Sequence, residues 1–153
     1  MFEVIIMQGV AGSGKSTYIK NNFPNSTVVS ADHFFINTIT GVYEFNRELL
    51  AEAHGQCLIK FIETVNAGNN DTPGNGLIVV DNTNCTVAEI APYAAIALAY
   101  RCKLKIIYLE VDLKVAAARN LHGVEESQIA IMAEKIEKSA KDLPPYWLRE
   151  VAV

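Results

Sequence analysis

The stretch QGVAGSGKSTYI, residues 8–19, decides the fold. It holds the pattern Gly9-x-x-x-x-Gly14-Lys15-Ser16 and directly follows the apolar run FEVIIM. That run is typical of a strand, and the residues after Ser16 can continue a helix. Because a phosphate-binding P-loop requires this strand–loop–helix setting as well as the pattern, the stretch predicts a P-loop. The alternative is a glycine-rich turn with a solvated lysine.

Each residue type in such a loop has a chemical role. The glycines let backbone N–H groups surround an anion, and the helix N-terminus adds partial positive charge at the same point. We expect Lys15 to reach the β- and γ-phosphates of ATP as a catalytic residue and the Ser16 hydroxyl to ligate Mg²⁺. The predicted nucleotide-binding residues are Gly9, Ala11, Gly12, Ser13, Gly14, Lys15, Ser16 and Thr17.

The bulk composition is that expected of one small enzyme domain over residues 1–153. No apolar run approaches the roughly 18 residues of a membrane helix, and the N-terminus lacks the basic region of a signal peptide. Three widely spaced cysteines indicate neither a disulfide framework nor a metal site. We therefore expect a cytoplasmic protein with no membrane partner. The net charge of −4 argues against a broad nucleic-acid-coating surface but permits binding of one strand end.

Predicted strands and helices alternate along the chain. Besides the first strand, apolar runs predict strands at residues 26–30, 77–80 and 103–109. Short amphipathic patterns predict helices at about 113–119 and 125–141. A longer helix is indicated by apolar residues at spacing four, namely Phe45, Leu49, Ala53, Cys57, Phe61 and Val65.

Two further signals concern boundaries. Residues 66–76 are rich in Gly and Asn and are predicted to form a loop. Thr86 and Glu89 form a capping-box signal for a helix that reaches Ala99, although Pro92 should kink or restart it.

This alternation predicts an α/β fold of the P-loop NTPase type, a three-layer sandwich with helices on both faces of a mainly parallel sheet of about five strands. Ligands of such sheets bind at the carboxyl ends of the strands. Asp32 and Asp81 follow the second and third predicted strands. We therefore expect both carboxylates to share a cleft with the P-loop.

The two acids have different predicted roles. An acid after a buried strand can hold Mg²⁺, which we expect of Asp81, with a turn residue as the alternative. Asp32 can accept a hydrogen bond from an attacking hydroxyl and direct it at the γ-phosphorus, with a helix cap as the alternative. Asn82 and Asn84 either orient phosphates, water or loop backbone, or belong to a plain turn.

The chain also resembles a known family. The segments GVAGSGKST, SADHFF, GVYEF, AH, VVDNTN, APYAAIA and RNLHGV occur in the order found in P-loop kinases similar to phage polynucleotide kinase. The pattern looks closest to the kinase-like domain of animal Nedd-four-binding proteins and their phage and bacterial relatives. The similarity covers about residues 1–140.

The resemblance implies roles for individual residues. Asp32 matches the base for the acceptor hydroxyl, Asp81 matches the acid that supports Mg²⁺, and Arg119 matches an arginine in a lid over the phosphates. It also implies that the Asp81 strand lies beside the first strand. The lid is expected at about residues 119–125, where a guanidinium can stabilise the transferring phosphoryl group; the alternative for Arg119 is pairing with a helix dipole.

The acceptor side departs from the phage enzyme. Phe35 stands where that enzyme has an arginine for a 3′-phosphate, and His122 lies in the region of its second lid arginine. Phe34 and Phe35 can stack on a base or pack in the core, and Tyr43 and Phe45 raise the same alternatives. Two further residues each have two alternative roles. His54 is either a hydrogen-bonded structural residue or a substrate contact. Trp147 is either a hydrophobic anchor or a platform for a base.

The sequence and the resemblance together predict an ATP- and Mg²⁺-dependent kinase acting on an alcohol, with the 5′-hydroxyl of a nucleic-acid end as acceptor. The first alternative is a small-molecule kinase acting on a nucleoside, sugar or antibiotic, which the acidic charge favours. The second is an ATP-binding regulatory module with little transfer activity, which Asp32 argues against. A GTPase is disfavoured because no Asn-Lys-x-Asp sequence follows the strand at residues 103–109.

Overall fold

A computed structural model describes residues 2–71 and 76–153. Its sheet has five strands, all parallel, in the order β2-β3-β1-β4-β5. The strands are β1 (Glu3–Gln8), β2 (Thr27–Val29), β3 (Leu77–Val80), β4 (Lys103–Leu109) and β5 (Leu148–Ala152). The Asp81 strand lies beside β1, as the family resemblance implied.

Five α-helices connect or flank the strands in the part of the chain that is described. They are α1 (Lys15–Asn22), α2 (Leu50–Asp71), α3 (Val87–Ala99), α4 (Leu113–Arg119) and α5 (Glu126–Ala140). Short 3-10 helices at Ala31–Phe35 and Arg47–Leu49 lie between β2 and α2. Within the described residues, no helix has the length and apolar character needed to cross a bilayer.

Alternating side chains of β1 explain the helices on both faces of the sheet. Val4 and Ile6 pack with the buried faces of α2 and α3, while Ile5 and Met7 pack with Ile19 of α1 on the other face. All four strand residues are at most 2% exposed. A buried parallel sheet needs such covering because both of its faces are apolar. A third cluster joins α4 and α5 beyond the carboxyl ends of the strands.

The long helix differs from its prediction at both ends. It begins at Leu50 rather than near Phe45, because Asn46 caps the preceding 3-10 turn through the N–H of Glu48. It continues to Asp71, so the loop prediction for residues 66–76 is wrong over 66–71, and residues 72–75 lie outside the described part. Gly68 lies within this helix, and a Cβ there would lie 2.0 Å from the Phe2 ring. This glycine permits close packing of helix and ring rather than ending the helix.

The capping box at Thr86 and Glu89 is confirmed, and α3 ends at Ala99 as predicted. The restart expected at Pro92 is wrong, because α3 is one continuous helix through that residue. Pro92 and Ala88 are both exposed, so the carbonyl deprived of its helical donor lies on the solvent side, where water can replace the bond.

The C-terminal segment, which had no predicted structure, forms the edge strand β5. Arg149 on this strand donates to Oε1 of the fully buried Gln8 at 3.0 Å, and its guanidinium lies 4.7 Å above the Tyr108 ring. Trp147 is 8% exposed and belongs to the main core cluster. It is a hydrophobic anchor rather than a base platform.

Candidate active site

The loop between β1 and α1 has the backbone of an anion-binding nest. Gly12 and Gly14 take positive φ values of 76° and 91°, which are the left-handed region that glycine adopts without steric cost. Gly14 is the N-cap of α1, and Gly9 N–H donates to Thr83 O at 3.0 Å. The loop therefore closes over the carboxyl end of β1 with the helix N-terminus directed into it, the geometry that binds phosphate.

Lys15 folds back over this loop. Its Nζ donates to the carbonyl oxygens of Gly9 and Val10, both at 2.9 Å. Burial lowers the pKa of the ammonium, while the negative charge of Asp81 opposes that shift. A cation in this position has its hydration replaced by loop carbonyls, and a bound polyphosphate would be a stronger partner for it.

Ser16 and Asp81 meet although they are 65 residues apart in sequence. Ser16 Oγ donates to Asp81 Oδ2 at 2.8 Å. Burial raises the pKa of the Asp81 carboxyl, and the Ser16 hydrogen bond and the Lys15 charge only partly offset the rise. A hydroxyl and a carboxylate oxygen beside a phosphate loop fit Mg²⁺, which binds few protein oxygens and keeps several waters. A cation would also favour the ionised form of Asp81.

Asp32 reaches the same cleft from the 3-10 helix after β2. The Ser30 hydroxyl accepts from the N–H of Asp32 at 3.2 Å and caps this turn. Asn82 Oδ1 accepts from the N–H of Ala31 at 2.8 Å, which ties the turn to the residue after Asp81. Asp32 is thus inside a capped turn rather than its cap, and its carboxylate remains exposed.

The two asparagines bind loop backbone in this structure. Asn84 Nδ2 donates to Met7 O at 2.7 Å, while the backbone carbonyl of Asn84 accepts from Gln8 Nε2 at 3.0 Å. Asn84 has a φ of 47°, a conformation that asparagine tolerates better than most residues. Asn82 and Asn84 are 8% and 2% exposed, and their hydrogen bonds connect the segment after β3 to the turn after β2 and to the end of β1. Of the predicted alternatives, loop-backbone orientation describes both.

Arg119 is the last residue of α4, and it lies beside the P-loop. Its Nη1 is 4.0 Å from the point where a Cβ on Gly14 would lie. The following residues form a folded turn in which Asn120 contacts Val124 O and the His122 N–H. Gly123 has a φ of 67°, and no atom lies within 4 Å of the position that a Cβ would take there. The segment predicted as a lid therefore connects a guanidinium near the phosphate loop to a glycine in the left-handed conformation.

One cleft of about 920 Å³ unites these groups. Its lining includes the P-loop from Ala11 to Thr17, together with Asp32, Asp81 and Arg119. Gly9 lies at the base of the loop, where its Cβ position would be 2.8 Å from Ser13 Oγ. The cleft is large enough for a nucleotide and an acceptor side by side. The predicted site residues thus lie together, and their chemical roles remain predictions.

The aromatic residues separate into core and cleft. Phe35 is 4% exposed, with its ring centroid 5.2 Å from Phe34 and 5.1 Å from Phe45. It is a core residue, whereas Phe45 is 51% exposed and lines the cleft with Tyr43. His54 is exposed and also lines the cleft.

The contacts of the Asp32 carboxylate were not predicted from the sequence. The Tyr43 hydroxyl donates to Asp32 Oδ1 at 3.0 Å, and His122 Nε2 lies 4.0 Å from Asp32 Oδ2. The segment GVYEF was part of the family resemblance, so a signal for Tyr43 was present. The contact of Tyr43 with Asp32 could not be predicted from their spacing, because a hairpin brings the two residues together.

The profile of a family described as an AAA domain matches residues 4–139. The chain belongs to the AAA domain family. This AAA domain is 31% identical over 144 residues to human NEDD4-binding protein 2. The match covers 88% of the chain but 8% of the human protein, so the chain spans a small part of that relative's length.

Solved structures give the same fold. A chain of the Pnkp1/Rnl/Hen1 RNA repair complex superposes with a TM-score of 0.70 at 12% identity, over 93% of this AAA domain and 46% of that chain. Shikimate kinase from Acinetobacter baumannii gives a TM-score of 0.57 at 13% identity, over 100% of this domain and 84% of the kinase. The predicted fold class and the resemblance to P-loop kinases are confirmed. The AAA domain thus shares its fold with a chain of the RNA repair complex and with shikimate kinase.

Proposed function

We propose that residues 1–153 form one kinase domain that uses ATP and Mg²⁺ to phosphorylate the 5′-hydroxyl of a nucleic-acid end. The observation that carries the proposal is the shared cleft, in which the Asp32 carboxylate faces the same space as the P-loop and Arg119. Phosphoryl transfer depends mainly on holding the attacking oxygen in line with the γ-phosphorus and on stabilising charge. In this proposal Asp32 orients the attacking oxygen, and the P-loop and Arg119 stabilise the charge.

The proposed reaction assigns a step to each residue. The P-loop N–H groups and Lys15 bind the β- and γ-phosphates. Asp32 accepts a hydrogen bond from the acceptor hydroxyl, whose oxygen attacks the γ-phosphorus while the bond to the bridging oxygen of ADP breaks. The hydroxyl proton passes to Asp32, and Arg119 stabilises the equatorial oxygens. When bound through Ser16 and Asp81, Mg²⁺ supplies charge neutralisation at the phosphates.

Closure of residues 119–125 as a lid is part of the proposal. Closure would exclude water and favour transfer to the acceptor over ATP hydrolysis. ATP as donor fits the cytoplasmic location expected from the sequence.

A small-molecule alcohol is the second candidate acceptor. Of the described residues that line the cleft, those around Asp32 on the acceptor side are aromatic, aliphatic or His, and the Lys and Arg side chains are Lys15, Arg119 and Lys135. A site for a polynucleotide normally has more Lys and Arg side chains than this cleft, because each phosphate carries a negative charge that the protein neutralises. The exposed Phe45 ring suits a nucleobase of one terminal nucleoside, which keeps the nucleic-acid end first.

The test is phosphate transfer from γ-labelled ATP to a panel of 5′-OH DNA, 5′-OH RNA, nucleosides and sugars. Asp32→Asn should lower turnover about 10²–10⁴-fold, the range for a lost general base, with little change in ATP affinity. Label on a strand end supports the first candidate, and label only on a small alcohol moves the function to the second. ATP binding without transfer to any acceptor would leave a regulatory ATP-binding module.

A further inference from the structure

The Asp32 carboxylate has a partner that the proposed reaction does not yet use. Its Oδ1 accepts a hydrogen bond from the Tyr43 hydroxyl at 3.0 Å. Its Oδ2 faces His122 of the lid segment, whose Nε2 lies 4.0 Å away. The two carboxylate oxygens are therefore not equivalent: one is bound by a fixed phenol, and the other faces the cleft and the lid.

Tyr43 is held in place by a hairpin that follows the Asp32 turn. Ile36 and Tyr43 form an antiparallel bridge. The backbone N–H groups of Asn37 and Glu44 donate to Val42 O and Phe35 O, both at 2.8 Å. These bonds return the chain to the side of the turn that carries Asp32, so an 11-residue separation in sequence becomes a direct contact.

Aromatic packing fixes the direction of the phenol. The buried Phe35 ring lies 6.1 Å from the Tyr43 ring, and Phe45 lies nearly parallel to Tyr43 at 12° and 6.5 Å. The His122 ring lies 4.5 Å from the Tyr43 ring. Because rings on several sides restrict its rotation, Tyr43 presents its hydroxyl to Asp32 at little further entropic cost.

The electrostatics make Tyr43 a donor. Burial raises the pKa of its phenol, and the negative charge and hydrogen bond of Asp32 raise it further. The hydroxyl thus stays protonated at neutral pH. A neutral donor to a carboxylate is a charge-assisted hydrogen bond, which is stronger and more directional than a neutral pair.

We propose that Tyr43 is the positioning residue of the catalytic carboxylate: its hydroxyl holds Oδ1 of Asp32, so that Oδ2 is the oxygen directed at the acceptor hydroxyl. The proposal rests on the proposed function, because it assigns Asp32 as the acceptor-side base. Tyr43 acts through Asp32 and takes no proton from the substrate.

Tyr43→Phe tests this directly, because it removes one oxygen and keeps the ring that packs on Phe35, Phe45 and His122. We expect kcat for transfer to fall about 10- to 100-fold, the range for a lost hydrogen bond to a charged group. KM for ATP and the melting temperature should remain close to those of the wild type. Tyr100→Phe is the matched control, since its hydroxyl donates to Asn66 outside the cleft lining, and its kcat should be unchanged.

A double-mutant cycle separates positioning from a structural role. In the Asp32→Asn background, Tyr43→Phe should change kcat less than 2-fold, because no carboxylate remains to be oriented. An equal loss in both backgrounds would overturn the proposal, since the hydroxyl would then act independently of Asp32.

The failures of the two proposals are distinguishable. A normal kcat for Tyr43→Phe, with a strong defect in Asp32→Asn, overturns the role of Tyr43 and leaves the proposed function standing. A normal kcat for Asp32→Asn would contradict the role of Asp32 as the base and therefore also the role of Tyr43. Transfer to no acceptor by the wild type overturns both.

Discussion

Substituting Gly12 by alanine should damage the P-loop in two separate ways. Gly12 has a φ of 76°, and a left-handed conformation costs a non-glycine residue about 1–2 kcal/mol. A Cβ would also lie 2.1 Å from the carbonyl oxygen of Ala116 in α4. Because this neighbour is backbone, the loop or the helix must move, and such overpacking costs about 1–3 kcal/mol. We therefore expect Gly12→Ala to lower the free energy of unfolding by about 2–5 kcal/mol.

Substitutions at two other glycines separate the conformational cost from the steric cost. Gly41 has a similar φ of 70° but nothing within 4 Å of its Cβ position, so Gly41→Ala should cost only the conformational term of about 1–2 kcal/mol. Gly55 lies in α2 with open space, and Gly55→Ala should stabilise the protein by roughly 0.5–1 kcal/mol. Urea unfolding followed by far-UV circular dichroism gives all three values, and titration calorimetry with ATP should show weakened binding for Gly12→Ala alone.

Equal unfolding free energies for Gly12→Ala and Gly41→Ala would contradict a steric conflict between Gly12 and α4. Equality would mean that α4 does not restrict the loop, and that the position of Arg119 beside Gly14 is not set by this packing.

Asp81→Asn should raise the free energy of unfolding at pH 7 without nucleotide, because burial raises the pKa of Asp81 and its ionised form therefore destabilises the native state. The gain should fall as the pH drops through that raised pKa and vanish below about pH 4, the ordinary carboxyl range, while Mg²⁺-dependent ATP affinity should be weaker throughout. Phe35→Arg should not create a 3′-phosphate site but should destabilise the fold by about 3–5 kcal/mol, the cost of losing a buried aromatic side chain, because the guanidinium would enter an apolar cluster. Urea unfolding curves of Phe35→Arg and the wild type measure this loss of stability. In a transfer assay, the wild type should turn over acceptors with a 3′-hydroxyl and with a 3′-phosphate at similar rates.

The P-loop side of the cleft could be predicted from the sequence because its residues are close together in the chain. Gly9 to Thr17 form one continuous loop and helix start, and Asp81 directly follows an apolar run. The parallel sheet then brings both to one edge. The three interior strands β3, β1 and β4 were predicted for a similar reason, because buried strands are uninterrupted apolar runs.

The features that the sequence did not predict depend on contacts between residues that are distant in the chain. The strand β5 has only exposed and half-buried residues and includes Arg149 and Glu150, so no apolar run marked it. Gly68 indicated a loop by composition, but the Phe2 ring packs against it within a helix. The Tyr43–Asp32 hydrogen bond depends on a hairpin, and periodicity gives no register for such a pair.

Lys15→Ala tests whether the loop at residues 8–19 binds the phosphates of ATP. Lys15 bonds only to loop oxygens in the described contacts, so its removal should leave the circular dichroism spectrum intact. ATP affinity, measured by calorimetry with Mg²⁺, should fall about 10- to 100-fold, as expected for a lost charge-assisted bond. Lys20→Ala, an exposed lysine of the same helix, is the control and should bind ATP normally. Unchanged ATP affinity in a folded Lys15→Ala protein would contradict phosphate binding by this loop.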